Sequence, residues 1–203
     1  MKSIRRFTLV ELLVVMAIIA ILSAIGFGVY TYTKSKAQES ATEALLGQIN
    51  AGLKAFNADQ KYFPSSGGEF KTIKFKFNAD GTVSEIDFGG TGGKLTYDSS
   101  TSLTAKEREK NRLIELFTKA VDMEVIKSHL TPPDSDGVRE LVDAWGGKIY
   151  YRSPGKFNQG SYDLISAGRD GVFGQSKTNT PGDTRTDYRE NAGEKVCDDL
   201  FNF

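Results

Sequence analysis

From Leu9 to Tyr30 the chain reads LVELLVVMAIIAILSAIGFGVY, almost wholly apolar, and no other segment limits the possible folds as much. As a helix it rises ~33 Å at 1.5 Å per residue, enough to cross a bilayer core of about 30 Å. The six residues ahead of it carry Lys2, Arg5 and Arg6 and no acid. Basic residues stay on the cytoplasmic side of a spanning helix, so the bulk of the 203-residue chain is expected outside. Tyr30 and Tyr32 suit the membrane–water boundary, and Lys34 and Lys36 begin the soluble side. An ordinary secretory signal has a shorter apolar stretch followed by a small-residue cleavage site. Here the run is longer and flows on into an amphipathic pattern. Two readings are left: a plain signal anchor, and a leader cut ahead of the apolar run.

Glu11 bears on that choice. A carboxylate inside an apolar span costs roughly 2.5–3.5 kcal/mol near the membrane centre and less near its edge. Thr8-Leu-Val-Glu11 has the spacing of a capping box, in which Thr8 caps the helix and Glu11 reaches back. The alternative partner is a cation on a neighbouring subunit. On physical grounds alone the two stand level.

Arg6-Phe-Thr-Leu-Val-Glu-Leu-Leu-Val-Val-Met-Ala-Ile-Ile-Ala-Ile-Leu22 closely resembles the N-terminal methylation motif of type IV prepilins and type II secretion pseudopilins. The resemblance implies that a prepilin peptidase cuts between Arg6 and Phe7 and that the new amine on Phe7 is methylated. It implies that Glu11 pairs with the terminal amine of an adjacent subunit during filament assembly, alongside any cap. The family normally has Gly or Ala before the cut, where this chain has Arg6.

Beyond residue 31, Ala37, Ala41, Leu45, Ile49, Leu53 and Phe56 recur every three or four residues, continuing the helix as an amphipathic stem. Gly26, Gly28, Gly47 and Gly52 weaken it by about 1 kcal/mol each relative to Ala, and are read as tolerated. Asn57-Ala-Asp-Gln-Lys and then Pro64-Ser-Ser-Gly-Gly end it. Ile73, Phe75 and Phe77 alternate with lysines, Asn78-Ala-Asp-Gly81 turns, and Ser84, Ile86 and Phe88 resume, predicting a β-hairpin with one buried face. Gly89-Gly-Thr-Gly-Gly93 is a loop without the Gly-Lys-Ser/Thr of a phosphate site. Residues 104–130 are expected to be helical, opened by the capping box Thr104-Ala-Lys-Glu107 and stopped by Thr131-Pro-Pro-Asp. His129, the only histidine, is read as a cap or surface residue. Lys148–Arg152 and Ser161–Ser166 predict a second antiparallel pair.

Asp143-Ala-Trp-Gly146, Tyr151-Arg-Ser-Pro-Gly155 and Tyr162-Asp-Leu-Ile-Ser-Ala-Gly-Arg-Asp-Gly171 resemble the C-terminal half of the major type II secretion pseudopilin, and Tyr62-Phe-Pro64 resembles its segment after the stem. The resemblance spans roughly residues 1–64 and 140–175, with an insertion at about 70–130. It implies an α+β, type IV pilin-like fold. A basic leader (1–6) precedes a transmembrane and stem helix (7–60), packed on an extracytoplasmic antiparallel β-sheet head (61–203) with an inserted hairpin and helix. It implies a calcium ion in the loop after the second strand pair. Calcium takes six to eight oxygen ligands. Ala167 sits where a carbonyl ligand is expected, Asp170 matches the family Asp, and Asp183 and Asp187 are candidates from the longer second half of the loop. Trp145 is read as a core aromatic closing the head over the stem, with partner binding as the alternative.

The implied function is a structural subunit of a type II secretion pseudopilus in the inner membrane, single-pass, with its head periplasmic. Its partners would be copies of itself in a filament, other pseudopilins, the inner-membrane secretion platform and the prepilin peptidase. A minor or type IV pilus subunit is the alternative within the class. A membrane-anchored enzyme or binding protein is the alternative outside it. No nucleophile motif or cofactor fingerprint stands in the sequence. With 26 basic and 26 acidic residues, it lacks the basic excess of a nucleic-acid binder. Cys197, the only cysteine, excludes an intramolecular disulfide; one Cys and one His exclude a Cys/His zinc cluster.

Overall fold

The computed structural model describes residues 8–90, 92–174, 177–183, 188 and 200–202, with backbone alone for 25–28. Arg6, Phe7, Asp187 and Cys197 lie outside the described residues. Helix α1 runs from Leu9 to Gln60 and contains one stretch long and apolar enough to cross a membrane. It runs through Gly26 and Gly28, as an apolar segment must if its backbone groups are to bond one another in lipid. The large apolar side chains from Leu9 to Leu22 are all exposed, Leu9 at 80% and Leu22 at 62%.

The chain divides into two compact units, Met1–Gln38 and Glu39–Phe203, so the second unit takes in the last part of α1. There Leu45, Ile49, Leu53 and Phe56 are buried on the predicted stripe and join the main core. The stripe is shorter than its periodicity suggests: Ala37 is exposed, and burial begins at Thr42.

Two four-stranded antiparallel sheets build the head. One has β1 (Lys71–Thr72), β6 (Ile149–Arg152), β7 (Asp163–Ser166) and β8 (Leu200–Phe201), in the order β1-β6-β7-β8. The other has β2 (Lys74–Phe77), β3 (Val83–Asp87), β4 (Lys94–Thr96) and β5 (Val138–Glu140), in the order β4-β3-β2-β5. The expected hairpin is β2–β3, with Phe75 opposite Ile86 and both buried. The predicted second pair is β6–β7, with Tyr151 opposite Leu164. β1, β4, β5 and β8 are two or three residues each, too short to carry a readable alternation. In the loop before β4, a Cβ on Gly93 would lie 1.9 Å from the Gly89 carbonyl oxygen and 2.3 Å from that of Ser65, so only glycine lets these strands of backbone meet.

The helix expected over 104–130 is two helices, α2 (Ala105–Ala120) and α3 (Met123–Ser128). The Thr104–Glu107 capping box is present. The break follows from Asp122, whose carboxylate caps α3 at the Glu124 amide while its own N–H donates to Gln48 Oε1 of α1 at 2.8 Å. His129 is the C-cap of α3, with Nδ1 2.9 Å from the Val125 carbonyl.

Gly52 sets the fit of α2 against the stem. A Cβ there would lie 2.4–2.8 Å from three ring atoms of Phe117. Phe117 is fully buried, its ring 5.9 Å from that of Phe88 and 6.3 Å from that of Phe75. Gly52 is therefore the socket for an aromatic of the insertion, a correction to its reading as merely tolerated. Gly47 has nothing within 4 Å and fits that reading.

Candidate functional site

At the start of α1 the capping box is formed. Glu11 Oε2 accepts from the Thr8 N–H at 2.8 Å and from the Thr8 hydroxyl at 3.0 Å, and the Glu11 N–H donates to Thr8 Oγ1 at 3.2 Å. The amides that begin a helix have no partner within it, and this pair satisfies two of them. Both bonds that the Glu11 carboxylate accepts from Thr8 fall on one oxygen, Oε2.

The loops at the end of the β6–β7 sheet are organised by two buried carboxylates. Asp143 follows β5 and is 3% exposed. Its Oδ1 accepts the amides of Trp145 at 2.9 Å and Gly147 at 2.8 Å, and its Oδ2 accepts the Ser166 hydroxyl at 2.6 Å. Ser166 Oγ in turn accepts the Gly168 N–H at 3.1 Å. One carboxylate thus folds the Asp-Ala-Trp-Gly turn and ties it to the end of β7, where the loop carrying Ala167 and Asp170 begins. The turn is also held to the stem, because Ala144 donates its N–H to Thr42 Oγ1 at 3.1 Å. Trp145 packs against the main core, as expected, and its indole N–H has no hydrogen-bond partner among the described residues.

Asp163, fully buried on β7, is the second organiser. Its carboxylate accepts the amides of Lys156, Phe157 and Asn158 at 2.9, 3.1 and 2.8 Å. It also accepts Arg152 Nε at 2.9 Å and Nη2 at 2.6 Å. The Arg152 guanidinium lies between two rings, 4.0 Å from the centroid of Phe70 and 4.6 Å from that of Phe157. A buried ion pair needs such saturation, because desolvation otherwise exceeds the attraction. Nearby, burial pushes the Tyr162 hydroxyl up to about 12, and that hydroxyl donates to Asn50 Oδ1 of α1 at 2.6 Å. Burial also raises Tyr151, whose hydroxyl donates to the Pro64 carbonyl at 2.7 Å.

The four residues expected to hold calcium fare differently. Ala167 is buried at the end of β7. Asp170 is exposed and its Oδ1 accepts the Val172 N–H at 3.0 Å. Asp183 is engaged elsewhere, with Oδ1 2.6 Å from Arg152 Nη1 and Oδ2 3.4 Å from Lys156 Nζ. Asp187 is among the residues not described. No group of three or more His, Cys, Asp or Glu side chains able to hold a metal occurs among the described residues. Among the described residues, the Ala167 carbonyl and the Asp170 carboxylate are the expected donors that Arg152 and Lys156 do not engage, a part of the six to eight oxygens calcium takes.

Residues 7–27 match the prokaryotic N-terminal methylation motif. Residues 138–181 match the family described as type II secretion system (T2SS), protein G. This second segment holds both buried carboxylates, the β6–β7 pair and Asp170. The chain is type IV pilin-like. It resembles the type II secretion pseudopilins, which are structural subunits rather than enzymes. No curated protein and no solved structure matches it. Residues 28–137 of this pilin-like chain lie between the two matched segments, and they hold β1 to β4, α2 and α3. One feature of the pilin-like head escapes a reading by motif. Asp163 and Arg152 look like ordinary strand residues until β6 and β7 are paired in register, Arg152 opposite Asp163. Asp143 could have been found from its spacing, since an Asp followed by a Gly-rich turn readily accepts the amides two and four residues on.

Proposed function

We propose that this chain is a subunit of a type II secretion pseudopilus, polymerising through α1 to drive protein export. The observation that carries the reading is the exposed apolar length of α1 from Leu9, opened by Glu11 and continued into a folded head. Exposed side chains of this kind need either lipid or the matching face of another helix. The subunit waits in the inner membrane with Lys2, Arg5 and Arg6 on the cytoplasmic side and its head in the periplasm. Prepilin peptidase cuts between Arg6 and Phe7, and the new amine is methylated. In the filament, helix–helix contact replaces lipid contact at little cost, and Glu11 pairs with the terminal amine of the adjacent subunit. That pairing satisfies a carboxylate whose burial in an apolar surround is otherwise expensive. Other pseudopilins and an inner-membrane secretion platform complete the assembly.

Calcium at the loop after β7 is part of the same proposal, with the Ala167 carbonyl and the Asp170 carboxylate as the described donors. A bound ion would draw the loop's oxygens together and stiffen the head.

The test is Glu11→Ala. Membrane insertion of the variant should match the wild type, while the yield of sheared filaments should fall at least ten-fold. Wild-type filament yield would sink the proposal.

A further inference from the structure

We propose that Asp183 is a latch that fastens the segment after β7 onto Arg152, and that it is not a cation ligand of that loop. Arg152 is 1% exposed and its guanidinium is clamped between Phe70 and Phe157, so it cannot turn out to solvent. Asp163 takes Nε and Nη2. Nη1 faces the other way, and Asp183 Oδ1 meets it at 2.6 Å from a side chain that is itself 70% exposed. Arg152 thus uses its planar fork on two carboxylates, one in the core and one at the surface. Lys156 Nζ sits 3.4 Å from the second oxygen of Asp183, so both oxygens face cations.

Two physical consequences follow. A divalent ion on the Asp183 carboxylate would lie beside a fixed guanidinium and an ammonium, and would be repelled by both. Loss of the Asp183 charge would leave the buried Nη1 donors without their anion, which costs more than breaking a surface pair. The latch also has a second fastening close by in the chain. Tyr188 is fully buried against Phe157 and Phe201, and its hydroxyl accepts the Gly182 N–H at 2.5 Å. Gly182, the neighbour of Asp183, is thereby held to a buried side chain. This inference rests on Arg152 and its partners and does not depend on the pseudopilus reading.

The experiment uses the full chain in detergent micelles. Thermal unfolding is followed with a chelator present and with excess calcium chloride, for the wild type, Asp183→Asn and Lys156→Ala. Limited trypsin digestion is scored at the exposed Lys177 in chelator. With chelator, Asp183→Asn should lower Tm by roughly 4 °C, taking about 2–4 °C per kcal/mol for a protein of this size. Cleavage after Lys177 should quicken several-fold. The calcium-minus-chelator difference in Tm should equal that of the wild type, whatever its size. Lys156→Ala removes only the outer contact and should give a smaller fall in the same direction; it carries the test if Asp183→Asn does not fold. Unchanged Tm and unchanged Lys177 cleavage in chelator would overturn the latch. So would a wild-type calcium response that disappears in Asp183→Asn or Lys156→Ala.

Discussion

Replacing Gly52 and Gly47 by alanine, one at a time, separates helix propensity from packing within a single helix. Both glycines sit in α1, and both cost about 1 kcal/mol of helix propensity relative to Ala. At Gly47 nothing lies within 4 Å of the new Cβ, so the variant should gain about 0.5–1 kcal/mol. At Gly52 the new Cβ would come within 2.4 Å of the Phe117 ring, far inside van der Waals contact. The ring has little room to move, because it is fully buried with Phe88 and Phe75 packed against it. Overpacking of this kind costs about 1–3 kcal/mol. Taking the upper part of that range for a locked ring and subtracting the propensity gain leaves a net loss of about 1–2 kcal/mol. At about 2–4 °C per kcal/mol, Gly47→Ala should raise Tm by up to ~4 °C and Gly52→Ala should lower it by about 2–8 °C. The assay is thermal unfolding of the full chain in detergent, followed by circular dichroism. Adding Phe117→Leu should remove most of the Gly52→Ala penalty, giving a coupling of at least ~1 kcal/mol in the double-mutant cycle. Equal stabilisation by the two alanines would refute the socket.

Three further outcomes follow from the head. Asp143→Ala strands the Trp145 and Gly147 amides and the Ser166 hydroxyl, and should cost about 3 kcal/mol in urea unfolding, with a change under ~0.5 kcal/mol counting against its role as organiser. Burial raises Tyr162 from 10.0 to about 12 and raises Tyr151 as well, so the folded head holds these protons more tightly than the unfolded chain. That stability is fully present below pH 10 and is lost as pH rises towards about 12. Tyrosinate absorbance of the buried pair should therefore appear together with loss of head structure, and its appearance near pH 10 in a folded head would contradict the assignment. Asp170→Ala should reduce the Tm gain on adding calcium, whereas an undiminished gain would remove Asp170 from the proposed site.

The sequence made the stem and the two hairpins legible because each follows one period for several residues. Leu45, Ile49, Leu53 and Phe56 mark a helix face, and Phe75 with Ile86 and Tyr151 with Leu164 mark strand faces. The N-terminal capping box was legible from Thr8 and Glu11 alone, since its partners are three residues apart. What was hidden depends on contacts between distant segments. The helix break at Asp122 needs Gln48, the need for glycine at position 52 needs Phe117, and the engagement of Asp183 needs Arg152. In each case a residue with an acceptable local role has a stronger partner brought to it by the fold. The short strands β1, β4, β5 and β8 were hidden for the related reason that sheet pairing defines them rather than any pattern of their own.

Prepilin processing would show in how the chain begins once it is in its own membrane. Intact mass and the N-terminal peptide of protein purified from native membranes decide this. The pseudopilin reading predicts a chain that starts at N-methylated Phe7. A chain that still carries Lys2 to Arg6 would contradict it and leave α1 as a membrane anchor only.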